Sequence, residues 1–366
     1  MAKIKIPKSP NEITNEWLTD IQRVSGRLED AIVVNHSIKP LAIGIGSANI
    51  VRIILEYDYP EDSALSSMIA KFVSIHKKPH ADELRDFSDR EVVFYQHLGS
   101  NPGISIPQFL YAEIDEQSGD YLVLMEDMSK CRVGDLSGKL EDVEVAIKHL
   151  ARFHAKWWNC DQLNKMPWGI LFSSESEKNE GLFKTFIDSL LHVKEIYGNK
   201  IPETFWLVAN LLQNVEVSIF TGDSLTLVHG DYHPGNIFFQ SNNEGRFAVF
   251  DWEAVHNGCA GEDLARIITL GLTQEQRELY QDSLVKLYHN TLLEHVEIDY
   301  SLDQCWDNIR RGLLYSVLSN TISAARQKSE RIEQLDDDGI KFILDIYFGR
   351  IDGALRSVKT LQLLQV

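Results

Sequence analysis

The spacing of apolar residues divides the chain into a strand-rich first third and a helix-rich remainder. Thr14 stands just ahead of Trp17, Ile21 and Val24, which recur at helical spacing, so a helix is predicted with Thr14 as N-cap and an end near Gly26. The runs Ala31–Val34, Ile38–Ile43, Ile50–Leu55 and Ser66–Val73 are rich in β-branched residues and read as strands. A helical pattern returns over Phe87–Leu98, with Phe87, Glu91, Phe94 and Leu98 near one face, and Tyr121–Met128 reads as a buried strand that turns polar at Glu126. From Leu140 onward helices dominate. Val143, Ile147, Leu150 and His154 share one face of the first, and others are predicted over Phe183–Ile196, Ile201–Phe220, Gln274–His295, Leu302–Gln327 and Gly339–Leu364. The acidic run Asp336–Asp338 is predicted as a solvated loop before the last of these.

One stretch departs from this amphipathic order. Leu227-Val-His-Gly-Asp-Tyr-His-Pro-Gly-Asn236 leaves an apolar strand for a polar loop, and Phe247-Ala-Val-Phe-Asp-Trp-Glu253 is a second β-rich run that ends on Asp251. Ser241–Gly245 reads as a hairpin turn between them, which predicts that the two runs pair and bring Asp231, Asn236 and Asp251 together. Any one of these residues could do no more than cap a turn. As a set, two carboxylates and an amide oxygen, with no ligand-spaced Cys or His beside them, suit a hard cation such as Mg²⁺. Phosphoryl transfer asks for this set: a carboxylate to orient an acceptor hydroxyl, and an Asn and a second Asp for metal.

Composition acts mainly by exclusion. The chain has 366 residues, which suggests more than one core, and 44% hydrophobic with 25% charged residues is ordinary for a globular protein. With 36 Lys and Arg against 54 Asp and Glu, the formal net charge of −18 argues against nucleic-acid and anionic-membrane partners. Cys131, Cys160, Cys259 and Cys305 are scattered without a Cys-x-x-Cys pair, the N-terminal residues lack the apolar core of a signal peptide, and no apolar run could span a bilayer. A cytoplasmic location is the expectation.

His229-Gly-Asp-Tyr-His-Pro-Gly-Asn236 resembles the H-G-D-x-H-x-x-N motif of the aminoglycoside phosphotransferase and choline kinase superfamily. Leu150-Ala-Arg-Phe-His-Ala155 resembles its Leu-x-x-x-His-Ala signature, and the stretches Leu279–Tyr288 and Asp299–Asp303 are similar to the ecdysteroid-kinase-like branch. The resemblance implies an α+β, two-lobed protein-kinase-like fold: an N-lobe over 1–125 built on a small antiparallel sheet, and a larger, mostly helical C-lobe over 126–366. It further implies ATP-dependent phosphorylation of a hydroxyl on a small molecule, with ATP and Mg²⁺ as cofactors. Asp231 is then the catalytic residue, and Asn236 and Asp251 the metal ligands. Lys71, braced by Glu91, would bind nucleotide phosphates under a glycine loop that includes Gly44, Gly46 and Ser47, where Asn49 replaces the third glycine of kinases. Glu126 and Met128 would flank the adenine, and His229, His233, Glu253 and Asp263 would support the loop or a second metal. His154 reads as a hydrogen-bonded core residue. A nucleotide-binding pseudokinase and a protein kinase are the alternatives.

Overall fold

The computed structural model describes residues 6–41, 48–74, 89–115, 117–168, 177–222, 225–241, 245–326 and 336–364. Gly44, Gly46, Ser47 and most of the predicted Ser241–Gly245 turn lie outside them, as does Phe87 at the start of its predicted helix. The chain forms two compact units, Met1–Arg132 with Gln240–Glu253, and Val133–Phe239 with Ala254–Val366. Against a single boundary after residue 125, the segment carrying Asp251 thus clusters with the first unit.

The first unit is an antiparallel sheet of β1 (Val33–Pro40), β2 (Asn49–Tyr57), β3 (Ser67–Val73), β4 (Phe109–Ile114) and β5 (Tyr121–Glu126), in the order β1-β2-β3-β5-β4. Helix α1 (Asn15–Val24) starts as its sequence predicts, with Thr14 Oγ1 accepting the Trp17 N–H at 3.1 Å. Its Trp17, Leu18 and Ile21 join Val51, Ile53 and Leu55 of β2 and Met68, Ala70 and Phe72 of β3 in one core. Side chains alternate along a strand, so Lys71 projects from the face of β3 opposite Met68, Ala70 and Phe72. Helix α2 (Arg90–Leu98) meets it there and buries Glu91 and Phe94 completely. One prediction fails in this unit: the strands expected over Ala31–Val34 and from Ile38 are the single strand β1, Val33–Pro40, and the expected end at Ile43 lies outside the described residues. β1 is an edge strand, so the polar Asn35-His-Ser37 faces water or the rim without ending it.

The second unit is helical: α3 (Leu140–Trp157), α4 (Glu177–Tyr197), α5 (Glu203–Leu211), α6 (Gly261–Gly271), α7 (Gln274–Leu293), α8 (Leu302–Ala325), α9 (Asp337–Leu344) and α10 (Arg350–Ser357). Capping boxes set the starts of α7, with Thr273 and Gln276, and of α8, with Ser301 and Gln304. Val143, Ile147, Leu150 and His154 are all fully buried along α3. Two predicted long helices are broken. Ile201–Phe220 is α5 followed by 3₁₀ turns, and the last helix is interrupted by a π turn over Asp345–Gly349. Asp336–Asp338 is not a loop. Asp336 accepts the Gly339 N–H at 2.8 Å as N-cap, and Asp337 and Asp338 fill the first turn of α9, where negative charge favours the helix dipole.

The packing of α6 on α8 fixes the loop that carries the sequence motif. A Cβ at Gly261 would lie 1.8 Å from Asn308 O, and one at Gly312 would lie 2.1 Å from Gly261 O. Only glycine at both positions permits this backbone-to-backbone approach.

Candidate functional site

In the first unit three charged side chains converge. Lys71 Nζ donates to Glu91 Oε2 at 2.7 Å and to Asp251 Oδ1 at 2.5 Å. Glu91 is fully buried, and the Tyr121 hydroxyl lies 3.4 Å from the same Oε2. Burial alone would lower the Lys71 ammonium, but Asp251 and Glu91 outweigh it and hold the group charged, well above its ordinary value. The partners are placed by packing. Trp252 stacks on Phe94 of α2 at 4.0 Å with the rings 7° apart, so the segment ending the Asp251 run is tied to the helix that carries Glu91. Asp251 itself has φ +67°, a left-handed backbone that non-glycine residues rarely adopt and that clusters at functional sites. Glu253 is exposed, and its charge acts on both Lys71 and Glu91.

Glu126, at the end of β5, is committed elsewhere. Its carboxylate accepts from Arg246 Nη2 at 2.6 Å and from the Gln108 N–H at 2.9 Å, and its own N–H donates to Gln108 O. Of the two residues expected to flank adenine, it therefore offers a base no N–H. Met128 is buried, and its carbonyl accepts the Cys131 N–H. Asn49 is exposed at the start of β2.

In the second unit the motif loop follows the strand Thr226–Val228, which pairs antiparallel with His256–Gly258. Gly230 has φ +79°, and a Cβ there would meet Ala254 O at 2.4 Å. Asp263, near the start of α6, is fully buried and clamps the loop from below: its Oδ2 accepts the His229 N–H at 2.7 Å and its Oδ1 the Gly230 N–H at 2.9 Å. His154 Nε2 lies 3.4 Å from Asp263 Oδ2, and His154 Nδ1 meets the Tyr288 hydroxyl at 2.8 Å. Burial raises the Asp263 carboxyl, but His154 and the loop outweigh it and hold the group below its usual value. This carboxylate organises backbone. Replacing Gly230 by Ala should cost about 1–3 kcal/mol of stability, from a positive φ and a blocked backbone contact. Denaturant unfolding checks this; an unchanged midpoint would show that the loop is not held so tightly.

Asp231 sits at the head of this loop. Asn236 Nδ2 donates to Asp231 O at 3.0 Å and to its Oδ2 at 3.1 Å, which leaves the Asn236 carbonyl oxygen for another partner. His233 Nε2 lies 3.5 Å from Asp231 Oδ2, and Arg266 Nη2 of α6 lies 2.5 Å from Oδ1. Desolvation would raise the Asp231 carboxyl; Arg266, then His233 and His229, outweigh it and hold the group well below the usual carboxylate range. Arg266 escaped the sequence reading. Its only local signal is that it is the single cation on a helix otherwise buried on every turn, three residues after Asp263.

Taken singly, each expected metal ligand has donor chemistry that suits Mg²⁺. Asn236 and Asp251 offer hard oxygens, and among the described residues no cluster of three or more His, Cys, Asp and Glu gathers into a self-sufficient cage. Mg²⁺ is commonly held by only one or two protein oxygens, with water and substrate phosphates completing its shell.

A family model, DUF1679, described as "Uncharacterized oxidoreductase dhs-27", matches residues 73–311. No curated protein matches the chain significantly. Among solved structures, the chain is similar to a choline/ethanolamine kinase family protein from Mesorhizobium loti, at 13% identity and TM-score 0.51, over 90% of this chain and 91% of that one. It is similar to a structure described as a putative aminoglycoside phosphotransferase from Ralstonia eutropha, at 13% identity and TM-score 0.53, over 94% and 98%. A third is an amicoumacin kinase in complex with AMP-PNP and Ca²⁺, at 15% identity and TM-score 0.50, over 87% and 88%. At such identities the likeness is one of fold, and the fold is the two-lobed, kinase-like α+β architecture.

Proposed function

The chain belongs to the DUF1679 family, an ecdysteroid-kinase-like family, and we propose that it is a phosphotransferase that moves the γ-phosphoryl group of ATP to a hydroxyl of a small molecule. The observation that carries this reading is the buried Lys71, held charged between Glu91 and Asp251. A lysine with two carboxylates in an apolar setting is costly to keep unless it has work to do. In this reading it binds the nucleotide phosphates, and Glu91 fixes its direction. Asp231 orients the acceptor hydroxyl and receives its proton; Asn236 holds the Asp231 carboxylate in place through its amide N–H. Asn236 and Asp251 would hold Mg²⁺, which supplies charge neutralisation on the phosphates. Positioning and electrostatics carry the rate, since phosphoryl transfer asks little covalent chemistry of the protein.

The oxidoreductase in the family's description is the name of another protein. The large sheet here is wholly antiparallel, whereas a nicotinamide-binding Rossmann unit is a parallel sheet with crossover helices. A small acceptor is favoured over a protein one. Regulated protein kinases carry a long loop after the metal-binding Asp, ordered by phosphorylation, whereas Trp252–Glu262 is short and lacks Ser, Thr and Tyr. Among the described residues, no helix is long and apolar enough to cross a membrane.

The test is ADP release from Mg-ATP over a panel of amino alcohols, aminoglycosides, sugars, sterols and hydroxy acids, run beside generic protein substrates. At least one small alcohol should stimulate release and become phosphorylated. Labelling of protein alone would overturn the choice of acceptor, and nucleotide binding without any turnover would overturn the enzyme.

A further inference from the structure

The kinase reading leaves the chemical class of the acceptor open, and Arg266 bears on it. Its guanidinium reaches Asp231 Oδ1 through Nη2 at 2.5 Å and is held from behind by Asn320 of α8, whose Oδ1 accepts from Nη1 at 3.1 Å. Asn320 is itself fixed, since its Nδ2 donates to Tyr347 O at 3.0 Å. The Arg266 Nε is buried and makes no hydrogen bond, so the position of the guanidinium is set by Nη1 on Asn320 and Nη2 on Asp231. The carboxylates close by are committed. Asp263 serves two loop amides and His154, while Glu262 pairs with His256 Nε2 at 2.9 Å and accepts the Cys259 N–H. The charges that act most strongly on Asp231 are those of Arg266, His233 and His229, all on the basic side.

A site built for a quaternary ammonium or a polyamine needs uncommitted carboxylates or open aromatic faces near the reacting hydroxyl. Here a fixed guanidinium stands in that position. We propose that Arg266 is a specificity-determining residue of the acceptor site, admitting hydroxyls carried on uncharged or anionic molecules and rejecting cationic ones. This inference rests on the kinase reading of Asp231. Arg266 balances the charge of Asp231, so a cationic group in the acceptor site finds no net attraction there, and one lying nearer the guanidinium than the carboxylate is disfavoured on the order of tenfold. An uncharged acceptor escapes that repulsion, and an anionic group on the guanidinium side is drawn in.

The experiment compares acceptors matched in shape and different in charge: choline, its uncharged carbon isostere dimethylbutanol, and the hydroxy acid glycerate, within the ADP-release panel. The wild-type protein should prefer uncharged and anionic acceptors over cationic ones by tenfold or more in kcat/KM. Arg266→Gln should erase most of that preference while leaving nucleotide binding unchanged, and Arg266→Lys, which keeps the charge, should retain much of it. Preferential turnover of cationic acceptors by the wild type, or an equal loss for all acceptors in Arg266→Gln, would overturn the assignment while leaving the kinase standing. Failure of every compound to stimulate ADP release would instead remove the kinase reading, and this inference with it.

Discussion

Asp231→Asn is expected to lower acceptor phosphorylation by roughly 10²–10⁴, the worth of a positioned general base, while nucleotide binding stays near the wild-type level. The reasoning starts from the loop. Asp231 lies between Asn236, which grips its Oδ2 at 3.1 Å, and Arg266 at its Oδ1. An amide has the shape of the carboxylate and can keep a carbonyl oxygen toward one of these partners. The loop itself hangs from Asp263 through two backbone N–H bonds that the substitution does not touch. What is lost is the capacity to take the acceptor's proton. The ion pair with Arg266 is lost too: Arg266 keeps its hydrogen bond to Asn320 but loses its counter-ion, so some loss of stability accompanies the loss of turnover. Single-turnover phosphorylation, calorimetric nucleotide binding and an unfolding curve separate these effects. Turnover near the wild-type level would remove Asp231 from its role, and a collapse of nucleotide affinity would show that the loop had been disturbed.

What could be read from the sequence followed from local patterning and from the motif. Thr14 ahead of an amphipathic run sufficed for α1, and the resemblance, through the order of glycine loop and strand, singled out Lys71 on what is β3. Glu91 on the same helix face as Phe94 asked for a cationic partner, because a carboxylate on a packing face needs one. The misses share a cause: each was decided by tertiary contact. The polar Asn35-His-Ser37 looks like a break until the strand is seen to lie at a sheet edge. The last helix has unbroken helical periodicity, and its π turn at Asp345–Gly349 lies beside Asn320, which reaches the carbonyls of Ile346 and Tyr347. Arg266 was invisible for the same reason. Its partners are 35 residues back and 54 residues on, and periodicity alone assigns a lone arginine to solvent.

Asp251→Ala should abolish phosphoryl transfer and remove the magnesium dependence of nucleotide binding, while leaving a folded protein in which Lys71 is still charged. The last clause separates a metal ligand from a structural brace. Asp251 and Glu91 both hold the Lys71 ammonium, at 2.5 and 2.7 Å, and removing the first leaves the second in place. A buried lysine with one remaining carboxylate stays paired, so the stability cost should fall well short of the 3–5 kcal/mol that breaking a buried pair exacts. The side chain is about one-third exposed, which softens the loss further. The positive φ at Asp251 is a second term, because Ala tolerates φ +67° less well than Asp does. Asp251→Asn is the control for it: Asn accepts the left-handed backbone, keeps one carbonyl oxygen and drops the charge. If Asp251 serves the metal, both variants should bind nucleotide with the same affinity whether or not Mg²⁺ is present, and the fall in turnover should exceed a thousandfold, since a catalytic metal stabilises transition-state charge by several kcal/mol. If it serves only to brace Lys71, nucleotide affinity should fall in both variants and its response to Mg²⁺ should persist. A magnesium titration of nucleotide binding, run on the wild type and the two variants, decides between them.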